Sequence, residues 1–215
     1  HSPSYPRARM CVSCSIDVVG IMIAAFLIGS VPFGVVLAKI FHLPDPRTIG
    51  SGNIGATNML RTGRKDVAAL TLLLDGGKGA LAVLMATQLL GMTPPMVACV
   101  ALLATLGHMY SPWLDYKGGK GVATSLGGML ALSPLAGGIA CLLWLVVFFM
   151  RGISSLAAIA AFAALPLIIY AQLGAHTAII VALLCALVIY KHRANITRLR
   201  QGKEPRFFGK KGKKS

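Results

Sequence analysis

Residues 67–90 read VAALTLLLDGGKGALAVLMATQLL, and this stretch decides the class of fold. It is long enough to cross the hydrocarbon core of a bilayer, which takes about 20 apolar residues in a helix. It also carries two charged residues, Asp75 and Lys78, near its middle. Charged side chains inside a membrane are costly and usually face a cavity or one another. We therefore predict a transmembrane helix in which Asp75 and Lys78 form a structural ion pair, with direct participation in chemistry as the alternative.

The composition of the whole chain indicates the same class. Of 215 residues, 56% are hydrophobic and 13% are charged, and the mean hydropathy is +0.74, whereas a soluble domain is far more polar. The formal net charge of +15 would also suit a protein that binds nucleic acid. The hydropathy instead favours basic loops at a membrane surface, so no nucleic-acid partner is expected.

Further apolar segments lie at 18–40, 96–106, 126–150, 155–170 and 177–190. Ser133-Pro134 interrupts the segment 126–150, which we interpret as two short part-spanning helices. The alternative is a single crossing that leaves Arg151 outside. Together the segments predict an all-α integral membrane protein with about seven transmembrane or part-spanning helices.

Basic residues are unevenly distributed along the chain. Of the 21 Lys and Arg residues, only Arg7 and Arg9 precede the first apolar segment, and most of the others fall at 39–65, 117–120 and 191–214. Cytoplasmic loops of membrane proteins are enriched in Lys and Arg. We therefore predict that the amino terminus lies outside and that the carboxyl terminus lies in the cytoplasm.

We expect one folded membrane domain, flanked by two terminal segments that are not part of it. Residues 1–17 are predicted to form an extracytoplasmic extension, 18–200 a single polytopic membrane domain, and 201–215 a basic cytoplasmic tail. The tail is interpreted as solvated or as attracted to anionic lipid headgroups. The residues before Met10 are interpreted as an upstream extension that is not part of the fold.

The first candidate site is the 50–61 loop, GSGNIGATNMLR. Glycines let backbone N–H groups approach a ligand closely, and hydroxyl and amide side chains add further hydrogen-bonding groups. Such a loop suits an anion, and phosphate in particular. Its candidate binding residues are Gly50, Ser51, Gly52, Asn53, Thr57, Asn58 and Arg61.

The second candidate site is the 117–121 loop, KGGKG, which opens a predicted helix at Val122. Backbone donors, a helix dipole and two ammonium groups would then surround one anion. The loop is not a Walker A motif, because Gly121 stands where that motif has Ser or Thr. The alternative is a flexible basic turn of the kind that cytoplasmic loops carry. The candidate residues are Lys117, Gly118, Gly119, Lys120 and Gly121.

The third candidate site is the 191–200 segment, KHRANITRLR. On a helix, His192 and Asn195 share one face while Arg193 lies on another, so the first two can point into a site and the arginine can reach headgroups. The alternative is a basic helix beside the membrane that binds anionic lipid. Ser154 and Ser155 fall on the same predicted side and are candidates to join the site or to cap a helix.

Metal chemistry is not expected. His42, His108 and His176 have no carboxylate or cysteine partners at the spacing of metal ligands. The chain also lacks a His-x4-Asp pair and a paired-aspartate motif that could hold metals around a pyrophosphate. We therefore predict no metal and no cofactor, and a site that acts through hydrogen-bond donors and cations.

Taken in order, these motifs resemble those of the bacterial acyl-phosphate:glycerol-3-phosphate acyltransferases of the PlsY type. The resemblance runs from about residue 18 to Glu204. Its motifs are GSVPFG at 29–34 with Lys39, the 50–61 loop, DxxKG at 75–79, the stretch 107–124, RxxS at 151–154, and HRxNIxRL at 192–199.

The resemblance implies an enzyme of phospholipid synthesis. It would transfer a fatty acyl group from acyl phosphate to the 1-hydroxyl of sn-glycerol 3-phosphate, giving lysophosphatidic acid and phosphate, without direct use of acyl-CoA. It would be a seven-helix protein of the bacterial inner membrane with its active site open to the cytoplasm. A monomer among membrane lipids is expected.

The resemblance also implies roles for the candidate residues. The leaving phosphate would accept the hydroxyl proton in place of an enzyme base, and positioning two anions side by side would supply much of the rate. The residues expected to hold the acyl phosphate and its developing oxyanion are Ser51, Asn53 and 118–121, and those expected to bind and orient glycerol 3-phosphate are Arg61, Lys120, His192 and Asn195, with Ser154 or Ser155 assisting.

Two other classes of function compete with the enzyme. A transporter of phosphate or phosphorylated solutes would suit glycine-broken helices and intramembrane charges. An internal repeat would favour it, and the other half of the chain holds no second copy of the 50–61 pattern. A membrane scaffold that recruits acidic lipids through its basic tail is the other alternative, and it leaves the three loops unexplained.

Overall fold

The computed structural model of the protein describes residues 12–207, with the side chains from Ile16 onward. The predicted extension before Val12 and the tail after Phe207 lie outside the described residues. Within them the chain forms α-helices and no strand. The helices are α1 Val12–Ser30, α2 Phe33–Ile40, α3 Ala56–Met59, α4 Lys65–Leu84, α5 Pro94–Met109, α6 Val122–Leu132, α7 Pro134–Arg151, α8 Ser154–Lys191 and α9 Arg193–Arg200.

The first apolar segment is two helices joined at an angle. The axes of α1 and α2 differ by 42° across Val31-Pro32. Proline has no backbone N–H to donate, so the hydrogen-bond ladder is broken at this point. The carbonyl of Val31 instead accepts a hydrogen bond of 2.7 Å from Nζ of Lys78. Helix α1 also begins at Val12, which is earlier than the predicted start at residue 18.

Helices α6 and α7 form a helical hairpin that turns at Ser133. Ser133 caps α7, because its Oγ accepts a hydrogen bond of 3.2 Å from the backbone N–H of Ala136. The Ser133 hydroxyl donates to Oε1 of Gln172 at 2.6 Å, so this turn and the turn within α8 lie on one side of the molecule. With 11 residues, α6 is about 16 Å long and spans only part of a bilayer. The segment 126–150 is therefore two helices, as the sequence predicted, but only α6 is short, because the 18 residues of α7 are enough to cross a membrane.

Helix α8 folds back on itself. Its 38 residues would extend for about 57 Å if straight. The hydroxyl of Ser155 near its start and the amide of Asn195 beyond its end nevertheless donate to the same carboxylate oxygen, Oε1 of Glu204. The reversal occurs at Gly174, where φ is 78° and ψ is 178°. A positive φ of this kind favours glycine. The two halves correspond to the predicted segments 155–170 and 177–190.

The fold class predicted from the sequence is confirmed. Four stretches of the described residues are long and apolar enough to cross a membrane, and the bent pair α1–α2 adds a fifth. Reversal within α8 and the short helix α6 bring the total to about seven transmembrane or part-spanning segments. The four stretches are Lys65–Leu89, Pro94–Leu114, Pro134–Arg151 and Ser154–Lys191.

Small residues let the central helices approach closely. Helix α4 packs mainly on α6, and α1 mainly on α5. A Cβ atom on Gly79 would overlap the carbonyl of Thr124, and one on Gly127 would overlap the carbonyl of Gly76. Transmembrane helices associate through such close backbone contacts because the hydrophobic effect does not drive them together in lipid. This packing fixes the two loops that flank α4 and α6.

Candidate active site

Asn58 organises the 50–61 loop. Its Oδ1 accepts a hydrogen bond of 3.0 Å from the backbone N–H of Ser51, and its Nδ2 faces the carbonyls of Pro46, Ile49 and Asn53 at 2.7, 3.2 and 2.8 Å. The side chain is buried, so each of these polar groups needs a partner. Asn58 thus holds the loop in shape, while Ser51 and Gly52 remain exposed at its surface.

Arg61 lies across the same loop. A Cβ atom on Gly50, whose φ is +55°, would overlap the Arg61 side chain and Oδ1 of Asn58. Gly50 is therefore required both by its conformation and by the lack of space. Thr57 connects the loop to the start of α8, because its Oγ1 lies 3.1 Å from Oγ of Ser154. Arg61 is exposed, and no carboxylate among the described residues lies within 4.0 Å of it.

The 117–121 loop is pinned to the end of α5. The backbone N–H of Gly118 donates to the carbonyl of Met109 at 3.2 Å, and that of Gly119 donates to the carbonyl of His108 at 3.1 Å. Gly121, with φ at +82°, then starts α6 without a side-chain cap. The first amides of α6 are left free, and such a helix terminus favours an anion.

Lys120 joins this loop to the 191–200 segment. Its Nζ donates a hydrogen bond of 2.7 Å to Oδ1 of Asn195. Burial lowers the pKa of Lys120 to about 8, although the carboxylate of Glu204 acts in the opposite direction. The ammonium is therefore mostly charged at neutral pH and loses its proton on mild alkalisation. Lys117, by contrast, is exposed.

His192 is held in a defined tautomer. Its Nδ1 lies 2.8 Å from the carbonyl of Val188, which can only accept, so Nδ1 carries the hydrogen. Burial, followed by the positive charge of Lys120, lowers the pKa of His192 to about 4. The ring is thus neutral at physiological pH, and its Nε2 offers a lone pair that no hydrogen bond of the described residues uses.

Glu204 ties the site together, and sequence reasoning missed it. Its Oε1 accepts hydrogen bonds from Ser155 at 2.7 Å and from Asn195 at 2.6 Å, and its Oε2 accepts one from Arg198 at 2.7 Å. Burial alone would raise the pKa of Glu204, but these three hydrogen bonds hold it below its usual value. The sequence feature that could have indicated this residue is that Glu204 is the only glutamate of the chain.

The three predicted clusters meet through these contacts. Thr57 links the 50–61 loop to Ser154, and its neighbour Ser155 binds Glu204. Glu204 holds Asn195, which in turn binds Lys120 of the 117–121 loop. His192 and Asn195 are both buried and Arg193 is exposed, with its guanidinium 4.8 Å from the centre of the Tyr190 ring.

A second polar cluster lies beside the site, inside the helix bundle. Nζ of Lys78 lies 2.7 Å from Oδ1 of Asp75 and 2.9 Å from Nδ1 of His108. The spacing of three residues within α4 predicted the pair of Asp75 and Lys78. It could not predict His108, which comes from α5. In the part of the chain that the structure describes, no group of three His, Cys, Asp or Glu residues could hold a metal ion.

The fold defines a polytopic membrane protein, and the clustered cations form a candidate anion-binding site at one side. A sequence model of the family described as glycerol-3-phosphate acyltransferase matches residues 19–202. A glycerol-3-phosphate acyltransferase of Paramagnetospirillum magneticum is 50% identical over 198 residues, which cover 91% of this chain and 96% of the relative. One of Methylobacillus flagellatus is 49% identical over 193 residues, covering 88% and 96%. The chain belongs to the glycerol-3-phosphate acyltransferase family.

Solved structures agree with this assignment. The crystal structure of PlsY, an integral membrane glycerol 3-phosphate acyltransferase, in its glycerol 3-phosphate form matches with a TM-score of 0.84 and 39% identity, covering 90% of this chain and 96% of that one. Its lysophosphatidic acid form matches with a TM-score of 0.82 and 37% identity over the same shares. The resemblance noted in the sequence is confirmed, and the protein is a membrane acyltransferase.

Proposed function

We propose that this protein transfers a fatty acyl group from acyl phosphate to the 1-hydroxyl of sn-glycerol 3-phosphate, giving lysophosphatidic acid and phosphate. The observation that carries the proposal is the series of contacts from Thr57 through Ser154, Ser155, Glu204 and Asn195 to Lys120. It gathers two glycine-rich loops and unpaired cations into one site, as two phosphorylated substrates require. The family and the PlsY structures, one in a glycerol 3-phosphate form and one in a lysophosphatidic acid form, support the same acceptor.

The acceptor is assigned to the side of the site that holds Lys120 and Asn195. Arg61 and Lys120 supply positive charge for its phosphate, since neither has a carboxylate within 4.0 Å among the described residues. Asn195 is fixed by Glu204 on one side and Lys120 on the other, so it can orient a hydroxyl group. Nε2 of His192 can accept the hydrogen bond of the attacking hydroxyl.

The acyl phosphate is assigned to the glycine-rich loops. Ser51, Asn53 and the adjacent backbone N–H groups would bind its phosphate and stabilise the developing oxyanion, together with residues 118–121. Asn58 has its side chain bound to the loop itself, so we assign it the role of shaping that loop. The remaining predicted contacts of the substrates are Gly50, Gly52, Thr57, Lys117 and Arg193, of which Arg193 is exposed.

The reaction needs no strong base from the protein. The hydroxyl oxygen attacks the acyl carbon, the bond from that carbon to the phosphate oxygen breaks, and the departing phosphate takes the hydroxyl proton. A histidine whose pKa is about 4 is a weak base at neutral pH, which favours proton transfer to the phosphate. Holding the two reactants in line then provides much of the rate, on the order of 7 to 11 kcal/mol at best.

The site is assigned to the cytoplasmic face of the bacterial inner membrane. Lys and Arg residues occupy the loops around the site, whereas the opposite turns at 91–93, 133–134 and 172–176 carry none. This distribution follows the positive-inside rule and leaves the start of α1 on the outer face. One chain supplies every cluster of the site, which supports a monomer as the active form.

Two substitutions test the proposal at the site. Arg61→Ala and Lys120→Ala each remove a cation from the phosphate-binding side, and both are expected to lower transfer from acyl phosphate to glycerol 3-phosphate by at least about a hundredfold. Both variants should remain folded in detergent. Lys203→Ala, an exposed lysine with no side-chain partner among the described residues, is the matched control. Wild-type activity in both site variants would exclude the assignment.

A further inference from the structure

The intramembrane cluster of Asp75, Lys78 and His108 is connected to the active site by one ring atom. All three residues are at most 4% exposed. Nζ of Lys78 has three neighbours at hydrogen-bonding distance, namely Oδ1 of Asp75, the carbonyl of Val31 and Nδ1 of His108, at 2.7, 2.7 and 2.9 Å. A lysine ammonium has three hydrogens to donate, so this arrangement satisfies it completely.

These contacts determine which nitrogen of His108 carries a hydrogen. A buried cluster with one carboxylate has the lowest free energy when it also holds one positive charge, so that its net charge is zero. If the charge resides on Lys78, Nδ1 of His108 accepts from it, and the neutral ring carries its hydrogen on Nε2. If the charge resides on His108, both ring nitrogens carry hydrogen. In either arrangement Nε2 is a hydrogen-bond donor.

That donor faces the 117–121 loop. A Cβ atom on Gly119 would overlap Nε2 of His108 before any other atom, so the glycine and the ring edge are in direct contact. The same loop is held here by the hydrogen bond from the backbone N–H of Gly119 to the carbonyl of His108, at 3.1 Å. Among the hydrogen bonds of residues 12–207, His108 takes part through its Nδ1, and none uses Nε2.

We propose that Nε2–H of His108 is a further ligand-binding donor of the active site, directed at the phosphate that the 117–121 loop holds. Lys78 and Asp75 are then positioning residues, because they fix the ring and keep its hydrogen on Nε2. The identity of the ligand rests on the proposed function, whereas the donor and its direction do not. The phosphate belongs either to glycerol 3-phosphate or to acyl phosphate, and the two share the charged oxygens that a buried donor recognises.

Two amide substitutions separate this role from a structural one. In His108→Asn, the amide oxygen takes about the place of Nδ1 and still accepts a hydrogen bond from Lys78, but no donor replaces Nε2–H at the 117–121 loop. In His108→Gln, the longer amide reaches toward the loop, but Lys78 loses its acceptor. Hydrogen bonds to charged groups contribute about 1.5–3 kcal/mol. Loss of the donor should therefore weaken phosphate binding by about tenfold to hundredfold in His108→Asn, with thermal stability near that of the wild type.

The measurements are direct binding and steady-state kinetics on the full-length protein in detergent. Binding is read from the thermal shift on titration with glycerol 3-phosphate or inorganic phosphate, and KM is measured for each substrate. We expect weaker binding in His108→Asn than in His108→Gln, and lower stability in His108→Gln. If KM rises for only one of the two substrates, the phosphate that His108 binds belongs to that substrate.

The outcomes also separate this inference from the proposed function. Weak phosphate binding in His108→Asn, together with no acyl transfer by the wild type, would support the donor and refute the reaction. Unchanged phosphate binding and unchanged KM values in a folded His108→Asn variant would overturn the inference. So would the reverse ranking, in which His108→Gln loses binding and His108→Asn does not, because only the structural role of the ring predicts that result.

Discussion

At the scale of single residues, Lys120 makes the clearest prediction about pH. An ammonium is charged below its pKa, so the phosphate binding proposed for Lys120 is fully present well below pH 8 and is lost as the pH rises through about 8. We expect kcat/KM for glycerol 3-phosphate to fall above this pH by about tenfold for each pH unit. The measurement is the pH profile of purified enzyme. Lys120→Arg carries a guanidinium that stays charged, so any activity that it retains should lack this falling limb. The same limb in Lys120→Arg would contradict the assignment.

Residues that share an element were predictable, and residues that meet across elements were not. Three-residue spacing placed Asp75 with Lys78, and His192 with Asn195, on one helix face. The structure pairs Asp75 with Lys78 and buries both His192 and Asn195, although His192 lies at the junction of α8 and α9. The sequence placed His108 in the 107–124 motif and gave no reason to pair it with Lys78, which lies 30 positions away. Glu204 lies beyond the predicted end of the domain at residue 200, although it binds Ser155 at the start of α8 and Asn195 of α9.

At the scale of helices, the close approach of α4 and α6 makes a prediction about stability. A methyl group at Gly127 would overlap the backbone carbonyl of Gly76, which cannot move without separating the helices. Gly127→Ala should therefore cost about 1–3 kcal/mol and lower the Tm in detergent. Gly138→Ala is the matched control, since a methyl group there meets nothing within 4 Å. Equal Tm values for the two variants would show that the close contact does not matter.

Hydropathy was sufficient to predict the apolar segments but not every boundary. The break at Ser133-Pro134 could be read from the sequence because proline ends a helix, and the structure has two helices there. The start of α1 at Val12 could not be predicted from hydropathy, because residues 12–17 are less apolar than those that follow. The short helix α3 within the 50–61 loop also lacked a signal, since four residues show no periodicity.

At the scale of the whole molecule, the proposed orientation can be tested by labelling. His176→Cys places a thiol on an exposed turn opposite the site, and Lys203→Cys places one on the site side. Both are made with Cys11 and Cys14 replaced by Ser. A thiol reagent that cannot cross the membrane should label His176→Cys in intact cells, and Lys203→Cys only after permeabilisation. The opposite pattern would reverse the orientation and move the site to the outer face.

The candidate active site requires most of the chain to be folded. Its groups come from the 50–61 loop, the 117–121 loop, the start of α8, α9 and the segment that returns from α9 to Glu204. Residue composition and motif order were enough to predict the membrane class and the three loops. The contacts between the loops depend on the reversal of α8 at Gly174, which brings Ser155 and Asn195 onto one carboxylate.

The most direct test of the proposed function is an assay of donor and acceptor on the purified protein in detergent or lipid. Acyl phosphate and glycerol 3-phosphate are supplied together, phosphate release and lysophosphatidic acid are followed, and acyl-CoA replaces acyl phosphate in a parallel reaction. We predict equal amounts of phosphate and lysophosphatidic acid from acyl phosphate, and no product from acyl-CoA. Folded protein that forms no lysophosphatidic acid from acyl phosphate would contradict the proposed reaction.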